Sequence, residues 1–334
     1  KRSASDLTFI IHKLMQKHGG VYINFENEKL VDFTVEDFDK LYSIALESGK
    51  KTLFLDEVQN VKAWEKFASR IHKKIKIIAS GSNSSFLSSE FATALTGRTI
   101  TFTLYPLSFS EALEFKAVDA SKLDSAQANA NLEKYLKLGG FPRIVATENL
   151  DLAQEYFKLI IYRDVIPRFR IKMTEAINKL AVYLVSNAGK PFSYRKLSEY
   201  CGLGHETTTR EYVSYLEQAF LVSTVNAFDY SLKKQEAKPK KVYSIDPAFN
   251  AIGLSPTNDK GRLLENVVFL ELKRRLKAND KIFYYKNDCE ADFVATHGLT
   301  PFAIYNVAYE TSSEKTFERE VKSIEKTASE LKTK

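Results

Sequence analysis

The sequence is poor in cysteine, methionine and tryptophan: 334 residues hold two Cys, two Met and one Trp. Two thiols, Cys201 and Cys289, are too few for a disulfide framework or a four-cysteine zinc site. That usage is expected of an intracellular chain. The histidines His12, His18, His72, His205 and His297 are scattered without zinc spacing, so each reads as a surface or core residue. No apolar run nears the ~18 residues that span a bilayer, and stretches such as Leu53–Leu55 and Val267–Leu270 are core-sized. The start, Lys1-Arg2-Ser3-Ala4, has no apolar signal region. It also lacks an initiator Met, which leaves room for a segment upstream. The expectation is a cytoplasmic protein with no membrane partner. No Ser-His-Asp or Cys-His spacing signals nucleophilic catalysis, and no internal repeat is visible.

What is present is a globular composition. Hydrophobic residues make up 44% and charged residues 27%, which excludes fibrous and disordered classes. At about 150 residues per domain, the length suggests two domains or three small ones. Lys+Arg exceed Asp+Glu by 49 − 42 = +7. That mild excess permits a nucleic-acid partner without requiring one.

Residues 1–105 alternate strands and helices. Val21–Phe25, Thr52–Leu55, Ile75–Ala79 and Ile100–Leu104 read as strands. Val35–Glu47, with Phe38, Leu41, Ile44 and Ala45 on one face, and Trp64–His72 read as helices. Near-continuous apolar strands between helices imply a parallel sheet covered on both faces. Residues 106–170 are mostly helical, with a turn at Gly139-Gly140-Phe141-Pro142 and a polar, connection-like stretch at Asp119–Asn131. Residues 171–241 read as three helices followed by a hairpin arm, the pattern of a winged helix-turn-helix. Residues 242–334 read as a strand at Val242–Ile245, a helix at Arg262–Leu276, and strands at Ile282–Lys286, Ala291–Ala295 and Phe302–Val307. An amphipathic helix over Thr316–Leu331 closes this α/β plan.

The apolar strand at Thr52–Leu55 ends in Asp56-Glu57. Two carboxylates there stand at a sheet's carboxyl edge, where open α/β sheets bind ligands. In a P-loop ATPase the first such acid holds Mg²⁺ and the second polarises the attacking water. The next strand ends in Ser80-Gly81-Ser82-Asn83-Ser84. A polar side chain there can reach the γ-phosphate or the water. The bland reading is that Asp56 and Glu57 cap the next helix.

These segments carry a resemblance. LDEVQNVKAWEKF, KIIASGSNSSFLSSEFATALTGR and LYPLSFSEALEF, followed by GGFPRIV, YRDVIPRF, FSYRKLSEYCGL, YSLKKQ and GRLLENVVFLELKRR, cover nearly the whole chain. Together they resemble a family of prokaryotic, archaeal-type AAA-like P-loop ATPases with a winged helix and a restriction-endonuclease-like C-terminal domain. The resemblance implies an α/β fold in four parts. A parallel-sheet P-loop core lies over residues 1–105 and a helical lid over 106–170. A winged helix lies over 171–241 and a nuclease-like α/β domain over 242–334. It implies ATP and Mg²⁺ as cofactors, Asp56 and Glu57 as Walker B acids, and Ser82 or Asn83 as the sensor. Arg98 becomes a phosphate-sensing candidate, with a surface salt bridge as its plain alternative.

The resemblance breaks at the phosphate loop, which needs G-x-x-x-x-G-K-[ST]. Its glycines let backbone N–H groups face the phosphates, and its Lys neutralises them. No such string exists, and the first glycine is Gly19. Ala4, Ser5 and Asp6 stand where the family has Gly, Lys and the Mg²⁺-binding hydroxyl, and the strand feeding the loop is absent. A lost Lys and a repulsive acid both oppose turnover, so no efficient ATP hydrolysis is expected. Asp6 otherwise reads as a helix N-cap. The alternative is an active ATPase whose loop is completed outside this chain.

By the same resemblance Glu265 is the helix acid of a nuclease-like site and Asp292 the strand acid, with Glu290 two residues earlier. Asn306 stands in the place of the Glu, and Ala308 in the place of the Lys, that such a site needs. The expectation is a relic fold; a metal-dependent nuclease is the lesser alternative.

Thr207, Thr208, Arg210 and Ser214 lie on the outer face of the presumed recognition helix, chemically suited to phosphates and base edges. Residues 231–241 hold five Lys against one Glu and fall where a wing belongs. Lys233, Lys234, Lys238, Lys240 and Lys241 would then meet a DNA backbone. A solvated loop, or a winged helix serving a protein partner or self-association, is the other reading.

Overall fold

The structure is a computed structural model that describes residues 4–81, 99–253, 259–277, 279–310 and 313–333, leaving aside the side chains of residues 4–7. The chain divides into two compact units, residues 1–104 and 105–334.

The first unit runs α1 (Ala4–His18), β1 (Val21–Asn24), α2 (Asp37–Glu47), β2 (Thr52–Asp56), α3 (Trp64–Ile71) and β3 (Lys76–Ala79). The three strands are parallel, in the order β1-β2-β3. Central β2 (TLFLD) is buried along its length, as a strand covered on both faces must be. Register pairs Asn24 with Asp56 and Leu55 with Ala79. The ends of all three strands therefore share one carboxyl edge. Phe38, Leu41 and Ala45 face the core, and Phe38 stacks on Phe67 at 4.4 Å between ring centroids. Two expectations fail in this unit. Ile44, assigned to the apolar face of α2, is exposed. Ile100–Leu104 forms no strand, and Phe102 is 82% exposed. An apolar run makes a strand only where a neighbour takes its backbone hydrogen bonds.

The second unit opens with α4 (Phe109–Phe115), α5 (Ser125–Leu138), α6 (Pro142–Thr147) and α7 (Asp151–Lys158), which passes into a π-helical turn over Leu159–Val165. Composition suggested a connection at Asp119–Asn131, but α5 begins inside it. The reason is a capping box: the Asp124 side chain accepts from Gln127 N–H, and Gln127 reaches back to the Asp124 N–H. Next come α8 (Thr174–Ser186), β4 (Pro191–Phe192), α9 (Tyr194–Cys201), α10 (Glu206–Gln218) and β5 (Val222–Val225). Ser193 caps α9 through the Lys196 N–H. Then α11 (Leu232–Ala237) precedes β6 (Lys240–Ser244), which is central in an antiparallel sheet of order β4-β6-β5. The lysine run is thus a short helix plus the start of a buried strand, not an open loop.

The chain continues as α12 (Lys260–Arg275), the antiparallel sheet β7 (Asp280–Lys286), β8 (Glu290–His297), β9 (Thr300–Tyr305), and α13 (Glu314–Leu331). One apolar core runs from Phe141 on α5–α6 through α8 and α10 to Phe269 and Phe293. Residues 106–170, 171–241 and 242–334 all contribute to it. A polar knot joins distant parts of this unit. The Asp246 carboxylate accepts N–H bonds from Gly140 at 2.7 Å and Ala248 at 2.9 Å. Burial pushes its pKa up to about 6, against the pull of those two donors. Gly139 and Gly140 are required there: a Cβ on Gly139 would lie 1.7 Å from Asp246 Oδ1, and one on Gly140 2.0 Å from Leu107 O. Among the described residues, no helix is long and apolar enough to cross a membrane.

Candidate functional site

Asp56 sits at the end of the central parallel strand, fully enclosed at 0% exposure. Three hydroxyls donate to it. Thr8 of α1 reaches Oδ2 at 2.7 Å and Tyr22 of β1 reaches the same oxygen at 2.9 Å. Ser80, just past β3, donates to Oδ1. Burial first, and the neighbouring Asp56 second, push the Tyr22 phenol well above its ordinary value, so it remains a proton donor at neutral pH. Glu57 follows in the left-handed region, at φ 51°. That conformation costs a non-glycine residue about 1–2 kcal/mol and is the kind of strain that gathers at functional turns. The Glu57 carboxylate accepts from Gln59 Nε2, and its backbone N–H lies 3.4 Å from Ser80 Oγ.

Thr8 and Tyr22 carried no signal in the sequence. Neither lies in a motif, and only the packing of α1 and β1 beside β2 brings them to Asp56. Ser80 belongs to the polar string that the sequence places at the end of the strand beside β2, where Ser82 and Asn83 are the residues singled out. Ser82, Asn83 and Arg98 lie outside the described residues, as do the side chains of Ala4, Ser5 and Asp6. Magnesium prefers oxygen ligands, and the Asp56 carboxylate beside the Thr8 hydroxyl is such a donor pair. Both Asp56 oxygens are taken by hydroxyl donors in this structure, so an ion held by these two residues would displace at least one of them. Among the described residues, no three His, Cys, Asp or Glu side chains gather where they could hold a metal by themselves.

The residues assigned to a nuclease-like site do converge, with an addition. Glu265 of α12 and Asp292 of β8 are bridged by Lys241 of β6, at 2.9 Å and 3.3 Å. Tyr243 also donates to Glu265, at 2.6 Å. Burial raises the Glu265 carboxyl's pKa, against the opposing pull of Lys241. Burial would lower the Lys241 ammonium's pKa, but the two carboxylates outweigh it and the net shift is upward. Asn306 accepts from the Asp292 backbone N–H at 3.4 Å and donates to Glu320 at 2.9 Å.

The expected basic arm is dispersed. Lys241 is 5% exposed and so cannot meet a DNA backbone. Lys240 pairs with Glu236 at 3.3 Å and Lys238 with Asp229 at 3.3 Å. Alternation along β6 turns successive lysines to opposite faces, which a count of charges does not show. Lys233 and Lys234 are exposed on α11. On α10, Thr207, Arg210 and Ser214 are exposed along one face and Thr208 is half-buried. The Arg210 guanidinium pairs with Glu206 at 2.7 Å and lies 4.1 Å from the Tyr194 ring centroid.

Residues 7–113 match a family model described as an AAA domain, and residues 129–258 match a domain of unknown function. The chain is 36% identical over 344 residues to the uncharacterized protein MJ1544 of Methanocaldococcus jannaschii, covering 97% of this chain and 77% of that one. An uncharacterized protein of Haemophilus influenzae is 32% identical over 76% of this chain and 66% of its own length. A second M. jannaschii protein, MJ1637, is 24% identical over 66% of this chain and 53% of its own.

Proposed function

Since the chain belongs to an AAA-like ATPase family, with an archaeal relative that matches 97% of this chain, we propose that it keeps the acidic half of a nucleotide site, hydrolyses ATP poorly, and works in association with nucleic acid. The observation that carries the first part is Asp56. It ends the central parallel strand, with a hydroxyl from the first helix on one oxygen and Glu57 directly after it. When bound, Mg²⁺ would supply the positive charge that draws the phosphates to this edge. Asp56 and Thr8 would orient the ion, and Glu57 would orient water. Against efficient turnover stand Ala4, Ser5 and Asp6 at the phosphate-loop positions, which offer neither the glycine nor the lysine that the loop requires.

The test is calorimetric binding of a non-hydrolysable ATP analogue with Mg²⁺, beside a coupled ATPase assay on the same chain. We expect binding that weakens at least tenfold in Asp56→Ala, with no turnover above background. Robust Mg²⁺-dependent turnover lost in Glu57→Gln would make the protein a working motor. Unchanged binding in Asp56→Ala would remove this edge from the site.

Nucleic-acid association draws on the second unit. Helices α8–α10 beside the sheet β4-β6-β5 support a winged-helix reading. Thr207, Arg210 and Ser214 then lie on its outer face, and Lys233 and Lys234 on α11, in the connection between the hairpin strands β5 and β6. These two exposed lysines are the part of the arm suited to phosphate contacts.

A further inference from the structure

A nuclease-like C-terminal fold implies a divalent metal held by the helix acid, the strand acid and a third oxygen ligand. The residues present do not fit that ion, for three independent reasons. The first is occupancy. The Lys241 ammonium lies 2.9 Å from Glu265 Oε1 and 3.3 Å from Asp292 Oδ1. A Mg²⁺ or Ca²⁺ ion bridging the same two oxygens needs distances of about 2.0–2.6 Å, which is the space the ammonium fills. The second is that the oxygens are committed. Glu265 Oε1 also takes the Tyr243 hydroxyl at 2.6 Å, and Asp292 Oδ2 takes the Val307 N–H at 2.9 Å. The third is the missing ligand. The Asn306 oxygen is turned to the Asp292 N–H, and its amide nitrogen to Glu320.

The lysine is held as firmly as the acids. It is 5% exposed, its ammonium lies 5.6 Å from the Tyr284 ring centroid, and Tyr243 beside it stacks on Phe269 at 4.3 Å. Its backbone belongs to β6, the central strand of the sheet before the acids. One side chain therefore ties that sheet to α12 and to β8.

We infer that the Lys241 ammonium is the resident cation of the Glu265–Asp292 pair, standing where a divalent metal would have to stand and making this cluster a metal-independent clamp between β6, α12 and β8. The second unit is then held together by charge in a place where a nuclease would keep its metal. Lys241 serves that clamp and not a nucleic-acid surface.

Two measurements on the full chain test this. The first is Mn²⁺ titration, followed by the paramagnetic resonance of the free ion, on the wild type, Glu265→Gln and Asp292→Asn. Any binding at the other unit is common to all three, so the curves should coincide. A site lost in Glu265→Gln or Asp292→Asn would overturn the inference, as would Mn²⁺-dependent plasmid cleavage by the wild type that Glu265→Gln abolishes. The second is thermal melting. Removing one partner of a buried ion cluster leaves a charge uncompensated, so Lys241→Met should lower the melting temperature by about 10 °C or fail to fold. The double change Lys241→Met with Glu265→Gln removes one charge of each sign, leaving a single acid, Asp292, where the single variant leaves two, and should melt above the single variant. Lys241→Met melting with the wild type, or the double variant melting below the single one, would sink the clamp.

Discussion

The Thr8 hydroxyl and the Asp56 carboxylate meet at 2.7 Å across 48 residues of sequence. The contact fixes α1 to the end of the central strand and places a neutral donor on an acid that is fully buried. Thr8→Val keeps the shape of the side chain and removes the donor. Losing one hydrogen bond to a buried charged group costs about 1–3 kcal/mol. Trp64, the one tryptophan of the sequence, is buried in the same unit, so its fluorescence reports that unit's unfolding. Urea unfolding followed at Trp64 should show that loss for Thr8→Val and much less for Thr8→Ser, with the slope unchanged. Equal midpoints for the two variants would mean the hydroxyl contributes nothing.

Gly140→Ala tests the knot in the second unit. The new Cβ would lie 2.0 Å from the Leu107 carbonyl oxygen, which also accepts the Tyr135 hydroxyl at 2.7 Å. Backbone on both sides must move, and the Asp246 bond to the Gly140 N–H moves with it. A loss of at least 2–3 kcal/mol, roughly, is expected from overpacking with a broken buried hydrogen bond. Gly202→Ala is the control. That position, unlike Gly140, is at positive φ, 69°, and has open space around it, so it carries only a backbone penalty of about 1 kcal/mol and no clash. Circular dichroism melts of the two variants compare them directly, and similar losses would contradict the geometry.

The two exposed lysines of α11 make a salt-dependence prediction. If duplex DNA binds, each lysine that neutralises a phosphate contributes about 0.9 to the slope of log K against log salt. Lys233→Ala with Lys234→Ala should therefore flatten that slope by roughly 2. Lys238→Ala should leave it within error, because Lys238 is paired to Asp229. Fluorescence anisotropy over a salt series measures both. A slope that responds to Lys238 and not to Lys233 and Lys234 would move the contact off this helix.

Much of this was legible in the order of residues. Apolar strands with helices between them announced the parallel sheet, and Asp56 at the end of β2 announced its edge. The helices α8, α9, α10, α12 and α13 were visible from their spacing and from Ser193. Capping chemistry was legible too, but Asp124 and Gln127 were outvoted by polar composition around them. Ile100–Leu104 looked like a strand because periodicity reports side chains, not the partner a strand needs. The largest misreading was Lys241. A run of lysines reads as one charged surface, whereas a strand sends alternate side chains to opposite faces. Its partners, Glu265 and Asp292, lie 24 and 51 residues away. No local pattern could have paired them.

The Asp246 carboxyl gives the chain a pH dependence whose sign is fixed. Burial raises its value from 3.8 to about 6 in the folded state, while the unfolded chain keeps the ordinary value. Between those values the folded form holds a proton that the unfolded form has lost. Its contribution to stability is therefore fully present below 3.8 and is lost as pH rises through about 6. Asp246→Asn does not titrate. Other groups cancel when the two proteins are compared at each pH. The stability of the wild type relative to Asp246→Asn should rise by about 1 kcal/mol between pH 7 and pH 5. Chemical unfolding followed by far-ultraviolet circular dichroism, repeated at half-unit steps, measures the difference. A flat difference would mean the two backbone N–H bonds hold the carboxylate near its ordinary value. A difference that falls with acid would mean they outweigh burial.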